Sequence, residues 1–209
     1  MAKLVLVRHG ESEWNEKGLW TGWSNPSLTE KGKVQARETG ELLKNTHFDH
    51  AFTSKLARAQ ETLHEVLDVL SQSNLSVTQD EHLNERNYGD YTGKNKWEIQ
   101  KEVGDETFMQ IRRSWDYPIP NGESLKDVCN RVIPYYEQTI KPLLLEGKNV
   151  IVAAHGNSLR ALVKHLENIS EQDIPQFELP IAGAIIYEID KNGTVLSHEM
   201  KGGELDHAR

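Results

Sequence analysis

The chain has 209 residues, 37% of them hydrophobic, enough for one sizeable domain spanning 1–209 and demanding no second. With 24 Lys and Arg against 32 Asp and Glu the formal charge is −8, so bulk electrostatics repel nucleic acid and acidic membranes, and an anion site must concentrate its cations locally. The single cysteine, Cys129, excludes an intrachain disulfide, no apolar run approaches membrane-spanning length, and no signal-like region precedes the first strand, so a cytoplasmic protein is expected.

Lys3 to Val7 is almost wholly apolar, and Arg8, His9 and Gly10 follow without a spacer. That pattern predicts a strand buried on both faces with an imidazole at its carboxyl end. In open α/β sheets ligands bind beyond such ends. A cation, an imidazole and a glycine in succession suit a phosphate, with Gly10 admitting an oxygen close to the backbone and Glu11, Ser12 and Asn15 adding polar groups. Glu16 to Pro26 lacks a sustained period and reads as a loop packed down by Trp14, Trp20 and Trp23.

Thr29 is the expected N-cap of a helix to about Asn45. Its small-residue stripe of Gly32, Ala36, Gly40 and Leu43 is expected to pack closely on the sheet. A short strand, Phe48 to Phe52, leads to a helix marked by Leu56, Leu63, Val66, Leu67 and Leu70, with Arg58 in its first turn beside a second strand end. Asn84 to Gly89 is a dense polar segment that, by its residues alone, reads as a solvated loop. A helical stretch from near Trp97 leads to Arg112 and Arg113, which as helical neighbours point about a hundred degrees apart. Leu125 to Leu145 reads as a helix bent at Pro134 and ended near Pro142.

Asn149 to Ser158 then repeats the opening pattern: an apolar strand, His155 and Gly156, and a polar turn into a helix from about Ser158 to Leu166. Two parallel strands ending this way can bring two imidazoles into one crevice. Ala184 to Ile189 and Thr194 to Met200 form a closing hairpin across Asp190 to Gly193, and residues 201–209 read as a polar, mobile tail. The expected fold is α/β, a three-layer sandwich with a mainly parallel central sheet flanked by helices.

The runs LVRHGESEWN ending at Asn15, TGW at Thr21 to Trp23, SLTEKG at Ser27 to Gly32, LNERNYG at Leu83 to Gly89 and AAHGNSLRALVKHL at Ala153 to Leu166 together resemble the cofactor-dependent phosphoglycerate mutases of the histidine phosphatase superfamily. The likeness runs from Lys3 to about Asp190. The Arg-His-Gly element marks only the superfamily, whereas Glu-Arg-x-Tyr-Gly from Glu85 and the pair Arg112-Arg113 point to the mutase branch.

By this resemblance His9 is the nucleophile, phosphorylated at Nε2 in the active resting state, and Glu85 moves the hydroxyl proton. Arg8, Arg58 and His155, with the backbone near Gly156 and Asn157, would surround the transferring phosphoryl group. The resemblance further implies substrate contacts along Arg8, His9, Gly10, Glu11, Ser12, Glu13, Trp14 and Asn15, at Thr21 and Gly22, and at Arg58. It continues them through Glu85, Arg86, Asn87 and Tyr88, then to Lys96 but not Lys94, and to Arg112 and Arg113. The implied reaction interconverts 3-phosphoglycerate and 2-phosphoglycerate, primed by 2,3-bisphosphoglycerate as phosphoryl donor. Minor synthase and phosphatase activities are a matter of rate balance among the same steps. No metal is implied, and no spaced ligand cluster for one is seen.

Small-molecule substrates are the expected partners, with no nucleic acid and no membrane. The chain passes from Tyr117 straight to Glu123, without the insertion of longer mutases, which leaves open a monomer or a small homo-oligomer. The tail has no motif that assigns it a lid role. Two other readings stand beside the mutase: a broad-specificity histidine phosphatase, and a non-catalytic phosphoprotein-binding module. Two anion-binding sets argue against the first, and the presence of both His9 and Glu85 argues against the second.

Overall fold

The structure is a computed structural model that describes residues 1–204. Its centre is two parallel strands, β1 (Ala2–Arg8) and β4 (Val150–Ala154), with Leu4 opposite Val150 and Arg8 opposite Ala154. Every residue of β4 is buried, because both faces of the sheet are covered. Val150, Val152 and Ala154 join Leu4 and Leu6 beneath α6 (Leu125–Tyr135) and α8 (Gly156–Leu166). Ile151 and Ala153 join Val5 and Val7 beneath α3 (Ala57–Val69), through Leu63, Val66 and Leu67. Burial on both faces is why these strands are near-continuous apolar runs instead of alternating ones.

The six-stranded sheet has the order β3-β2-β4-β1-β5-β6, where β2 is His50–Thr53, β3 Val77–Gln79, β5 Ala184–Ile189 and β6 Val195–Lys201. The first four of these run parallel, and the β5-β6 hairpin adds antiparallel to β1. The three-layer α/β expectation therefore holds. Strand β2 starts later than expected, since the Phe48 N–H is taken by the Gln72 side chain. Strand β3 was not anticipated: it is three residues long at an exposed edge, too short and too polar to carry a pattern.

Other departures have local causes. Helix α1 (Glu13–Glu16) interrupts the first polar turn, closed by a capping box between Ser12 and Asn15. In α2 (Glu30–Leu42) the two glycines of the small-residue stripe face neighbours outside the sheet. A Cβ on Gly40 would lie 2.9 Å from Val69 of α3 and one on Gly32 2.0 Å from the Glu11 carbonyl oxygen, while Leu43 alone of the stripe joins the apolar layer. The stretch ending in the arginine pair is two helices, α4 (Lys96–Val103) and α5 (Asp105–Arg113), separated at Gly104, whose φ of +80° suits glycine. After α6 the chain widens into a π-turn, Tyr136–Ile140, before α7 (Lys141–Leu145). Pro142 thus stands in the first turn of the last segment instead of ending the helix. Proline has no N–H to continue the α ladder, and the wide turn absorbs that mismatch.

Lys201 closes β6, and Glu204 exchanges backbone hydrogen bonds with Ile181, each 2.9 Å. The remainder of the expected tail, 205–209, lies outside the described residues. Among the described residues no helix is long and apolar enough to cross a membrane.

Candidate active site

Strands β1, β4 and β2 end side by side, so the residues that follow them share one crevice. His9 follows Arg8 and His155 follows Ala154 at matching positions, and the His9 N–H donates to the Ala154 carbonyl at 3.0 Å. Both imidazoles are buried and their centroids are 5.0 Å apart. The convergence expected from the repeated His-Gly pattern is present.

The His9 ring has a defined tautomer. Its Nδ1 lies 2.7 Å from the Gly10 carbonyl oxygen, which can only accept, so Nδ1 carries the proton and Nε2 the lone pair. Arg58 Nε donates to that Nε2 at 3.4 Å. The Gly10 N–H is held by Thr62 Oγ1 of α3 at 3.1 Å. A Cβ on Gly10 would meet the Gly32 carbonyl oxygen at 2.3 Å, so this glycine makes room for α2 and not, as expected, for a ligand oxygen.

His155 Nε2 lies 2.8 Å from Ser54 Oγ, which itself accepts the Leu56 N–H at 3.1 Å. Burial first, then the charges of Arg58, His9, Arg131 and Arg8, holds this imidazole well below the ordinary histidine range. Arg58 is buried, donating to the Ser24 and Gly22 carbonyls at 2.9 Å each, and burial pushes it down to about 10, so it remains cationic at neutral pH. Arg8 Nη1 donates to the Leu179 carbonyl at 2.7 Å.

Glu85 has two unlike oxygens. Oε1 accepts from the Arg86 N–H at 2.7 Å, the Asn157 N–H at 3.1 Å and Asn157 Nδ2 at 3.0 Å. Oε2 has no hydrogen-bond partner among the described residues, and it is the oxygen 3.7 Å from where a Cβ on Gly156 would sit. Gly156 thus keeps the space before a carboxylate that can accept a proton.

The cleft beyond these groups is lined by Arg8, His9, Asn15, Thr21, Arg58, Glu85, Tyr88, Lys96, Arg112, Arg113, Gly156 and Asn157, all anticipated from sequence. Leu19, Trp20, Arg160, Glu178 and Leu179 complete it and were not anticipated. Arg113 pairs with Glu178 at 2.7 Å, the Arg112 guanidinium lies 5.5 Å over the Phe108 ring, and Lys96 lies 6.0 Å over Trp20. Arg160 is fixed by Asn157 Oδ1 and by the Arg113 and Ile174 carbonyls, and burial pushes it down to about 9. Its only sequence signal was the three-residue spacing from Asn157 on one helix.

The other expected site residues stand behind this wall. Glu11 meets Thr29 and Lys31, Ser12 caps α1, Glu13 opens α1, and Trp14 packs beside Gly93. Gly22 offers its carbonyl to Arg58. Arg86 is fully buried, donating to the Ile111 carbonyl at 2.7 Å and lying 4.6 Å over the Tyr88 ring. Asn87 gives its N–H to Glu123 at 2.8 Å. Among the described residues no group of three or more His, Cys, Asp or Glu could hold a metal ion.

An imidazole with a directed lone pair, ringed by arginines at the ends of parallel strands, is an arrangement that can take up a phosphoryl group. Residues 4–200 match the model of the histidine phosphatase superfamily (branch 1), and the chain belongs to that family. It is 52% identical over 93% of its length to a 2,3-bisphosphoglycerate-dependent phosphoglycerate mutase of Nitrobacter winogradskyi, covering 95% of that protein. It is 49% identical to a phosphoglycerate mutase of Schizosaccharomyces pombe, over 94% of each chain. Among solved structures, Bacillus stearothermophilus YhfR superimposes with a TM-score of 0.83 at 27% identity over 99% of both chains.

Proposed function

We propose that the chain catalyses the 2,3-bisphosphoglycerate-dependent interconversion of 3-phosphoglycerate and 2-phosphoglycerate through a phosphohistidine on His9. The observation that carries this reading is the pairing of a directed His9 Nε2 with a cleft bearing six cations, Arg8, Arg58, Lys96, Arg112, Arg113 and Arg160. A substrate with both a phosphate and a carboxylate calls for that many, since each anionic group is best met by guanidinium forks. The names of the relatives at about half identity support the same substrate.

In this mechanism the Gly10 carbonyl keeps the His9 lone pair on Nε2, which attacks phosphorus in line. Arg8, Arg58 and His155 surround the equatorial oxygens as charge spreads over them. When the phosphoryl group passes to the free hydroxyl of a monophosphoglycerate, the P–N bond breaks as a P–O bond forms, and Glu85 Oε2 accepts the hydroxyl proton. In the second half His9 takes the other phosphoryl group and Glu85 returns the proton to the departing oxygen. Positioned proton transfer of this kind contributes about 10²–10⁴-fold. The reading carries with it a cytoplasmic setting, small-molecule partners without nucleic acid or membrane, and a monomer or small homo-oligomer, in keeping with the formal charge of −8.

The test is intact mass after incubation with 2,3-bisphosphoglycerate, beside His9→Ala, followed by 3-phosphoglycerate with 2-phosphoglycerate monitored. The expected result is one acid-labile phosphate, absent from the variant, that passes to the glycerate without net release of inorganic phosphate. Release mainly as inorganic phosphate would sink the mutase reading in favour of a phosphatase, and absence of any label would remove the nucleophile.

A further inference from the structure

The segment that carries Glu85 has little regular structure of its own: a 3-10 turn, Glu81–Leu83, leads into it and no helix or strand contains Glu85. One side chain from α6 bonds to three of its backbone carbonyls. Arg131 Nη1 donates to the carbonyl oxygens of His82 at 2.7 Å and Asn84 at 3.0 Å, and Nη2 donates to that of Glu85 at 2.9 Å. The same guanidinium is aimed by Glu123, through Nε to Oε1 at 2.7 Å and Nη2 to Oε2 at 2.9 Å. Glu123 Oε2 also accepts the Asn87 N–H at 2.8 Å, so the pair grips the chain on both sides of Glu85. The Trp23 indole N–H adds a second donor to the Glu85 carbonyl at 2.6 Å, and Arg131 lies 5.8 Å over that indole.

Neither Arg131 nor Glu123 lines the cleft, so neither is a substrate contact. Their bonds reach Glu85 from behind, through its backbone, while Arg86 N–H and Asn157 fix Oε1 from the front. With both restrained, the direction of Oε2 is set by backbone positions 82–87. A planar guanidinium is the one side chain with donors enough, in a rigid fork, to meet three carbonyls and a carboxylate at once. An ammonium on a flexible stem would keep the charge and lose the geometry.

We propose that the Arg131–Glu123 pair is a positioning device for proton transfer by Glu85, acting on the carboxylate through the carbonyls of residues 82, 84 and 85 and the N–H of residue 87. The inference rests on the assignment of Glu85 as the acid and base of the mutase reaction. It separates two kinds of phosphoryl transfer. Transfer to or from the alcohol of a glycerate requires the proton to move with the P–O bond. Transfer from para-nitrophenyl phosphate to His9 does not, because the aryl oxide leaves as a stable anion and the electron pair of the broken P–O bond stays on it.

The experiment compares the parent with Arg131→Lys and Glu123→Gln in steady-state conversion of 3-phosphoglycerate. Alongside it, single-turnover phosphorylation of His9 by para-nitrophenyl phosphate is read by intact mass. For Arg131→Lys, kcat for the glycerate is expected to fall about 10–100-fold, the effect of a misplacement on the order of 1 Å. Its KM is expected to stay within about two-fold, since uniform binding is untouched. Labelling from the aryl donor stays at the parent rate, and the pH profile of kcat is displaced. Glu123→Gln gives the same pattern with a smaller fall. The proposal is overturned if aryl labelling slows in step with isomerisation, if KM rises at constant kcat, or if both variants fail to fold and the pair proves merely structural. A parent that neither labels at His9 nor isomerises the glycerate is a distinct result: it removes the mutase reading first, and the positioning role with it.

Discussion

His9 and His155 occupy equivalent places in the sheet yet have different hydrogen-bond partners. The Gly10 carbonyl accepts from His9 Nδ1 and so leaves the lone pair on Nε2, whereas His155 meets the Ser54 hydroxyl through Nε2. Burial depresses His155, so the folded chain binds fewer protons there than the unfolded chain. Stability therefore rises with pH across the window from the depressed folded value up to about 6.5, the unfolded value, and is lost as pH falls through it. The unfolding midpoint of the parent should drop as pH is lowered below about 6.5, and His155→Gln should flatten that dependence. An identical slope in the variant would place the acid sensitivity elsewhere.

At the scale of elements, the catalytic loop is held by contact between two glycines. Gly10 and Gly32 each sit where a Cβ would strike the other segment's backbone, which brings the N-terminus of α2 onto the turn after β1. Helix propensity favours Gly32→Ala by about 1 kcal/mol, but the added methyl would lie 2.0 Å from the Glu11 carbonyl oxygen, a backbone atom that cannot swing aside. Overpacking costs about 1–3 kcal/mol, so it outweighs propensity. Gly32→Ala should lower the urea midpoint and slow His9 labelling together. A more stable, fully active variant would show that the α2 contact is loose.

For the molecule as a whole, both apolar layers share the same strands, so neither can open alone. Cys129 tests this from within: it is 3% exposed beneath the sheet, and burial pushes its thiol up to about 11. Thiolate is the reactive form, so a thiol reagent at neutral pH should modify Cys129 only as fast as global unfolding allows, with a urea dependence matching that of circular dichroism. Rapid modification of the native chain would mean that the α6 and α8 layer unfolds by itself.

What the sequence by itself determined are the features whose cause is local. The apolar runs of β1 and β4, the His-Gly that ends each, the capping of α2 by Thr29 and the α/β alternation are all written in contiguous residues. Most of the residues that line the cleft were legible too, though for Glu85, Lys96 and the arginine pair only through likeness to a family, and Arg160 and Glu178 were not. Tertiary structure alone decided what depends on partners distant in the chain: Ser54 on His155, Arg131 beneath Glu85, Glu178 on Arg113, and Gly10 against Gly32. It also decided the breaks at Gly104 and the π-turn, where helical spacing persists in sequence while the backbone departs from it. Periodicity reports which face of a segment is buried. It does not report what that face meets, and the direction of a catalytic proton is set by what it meets.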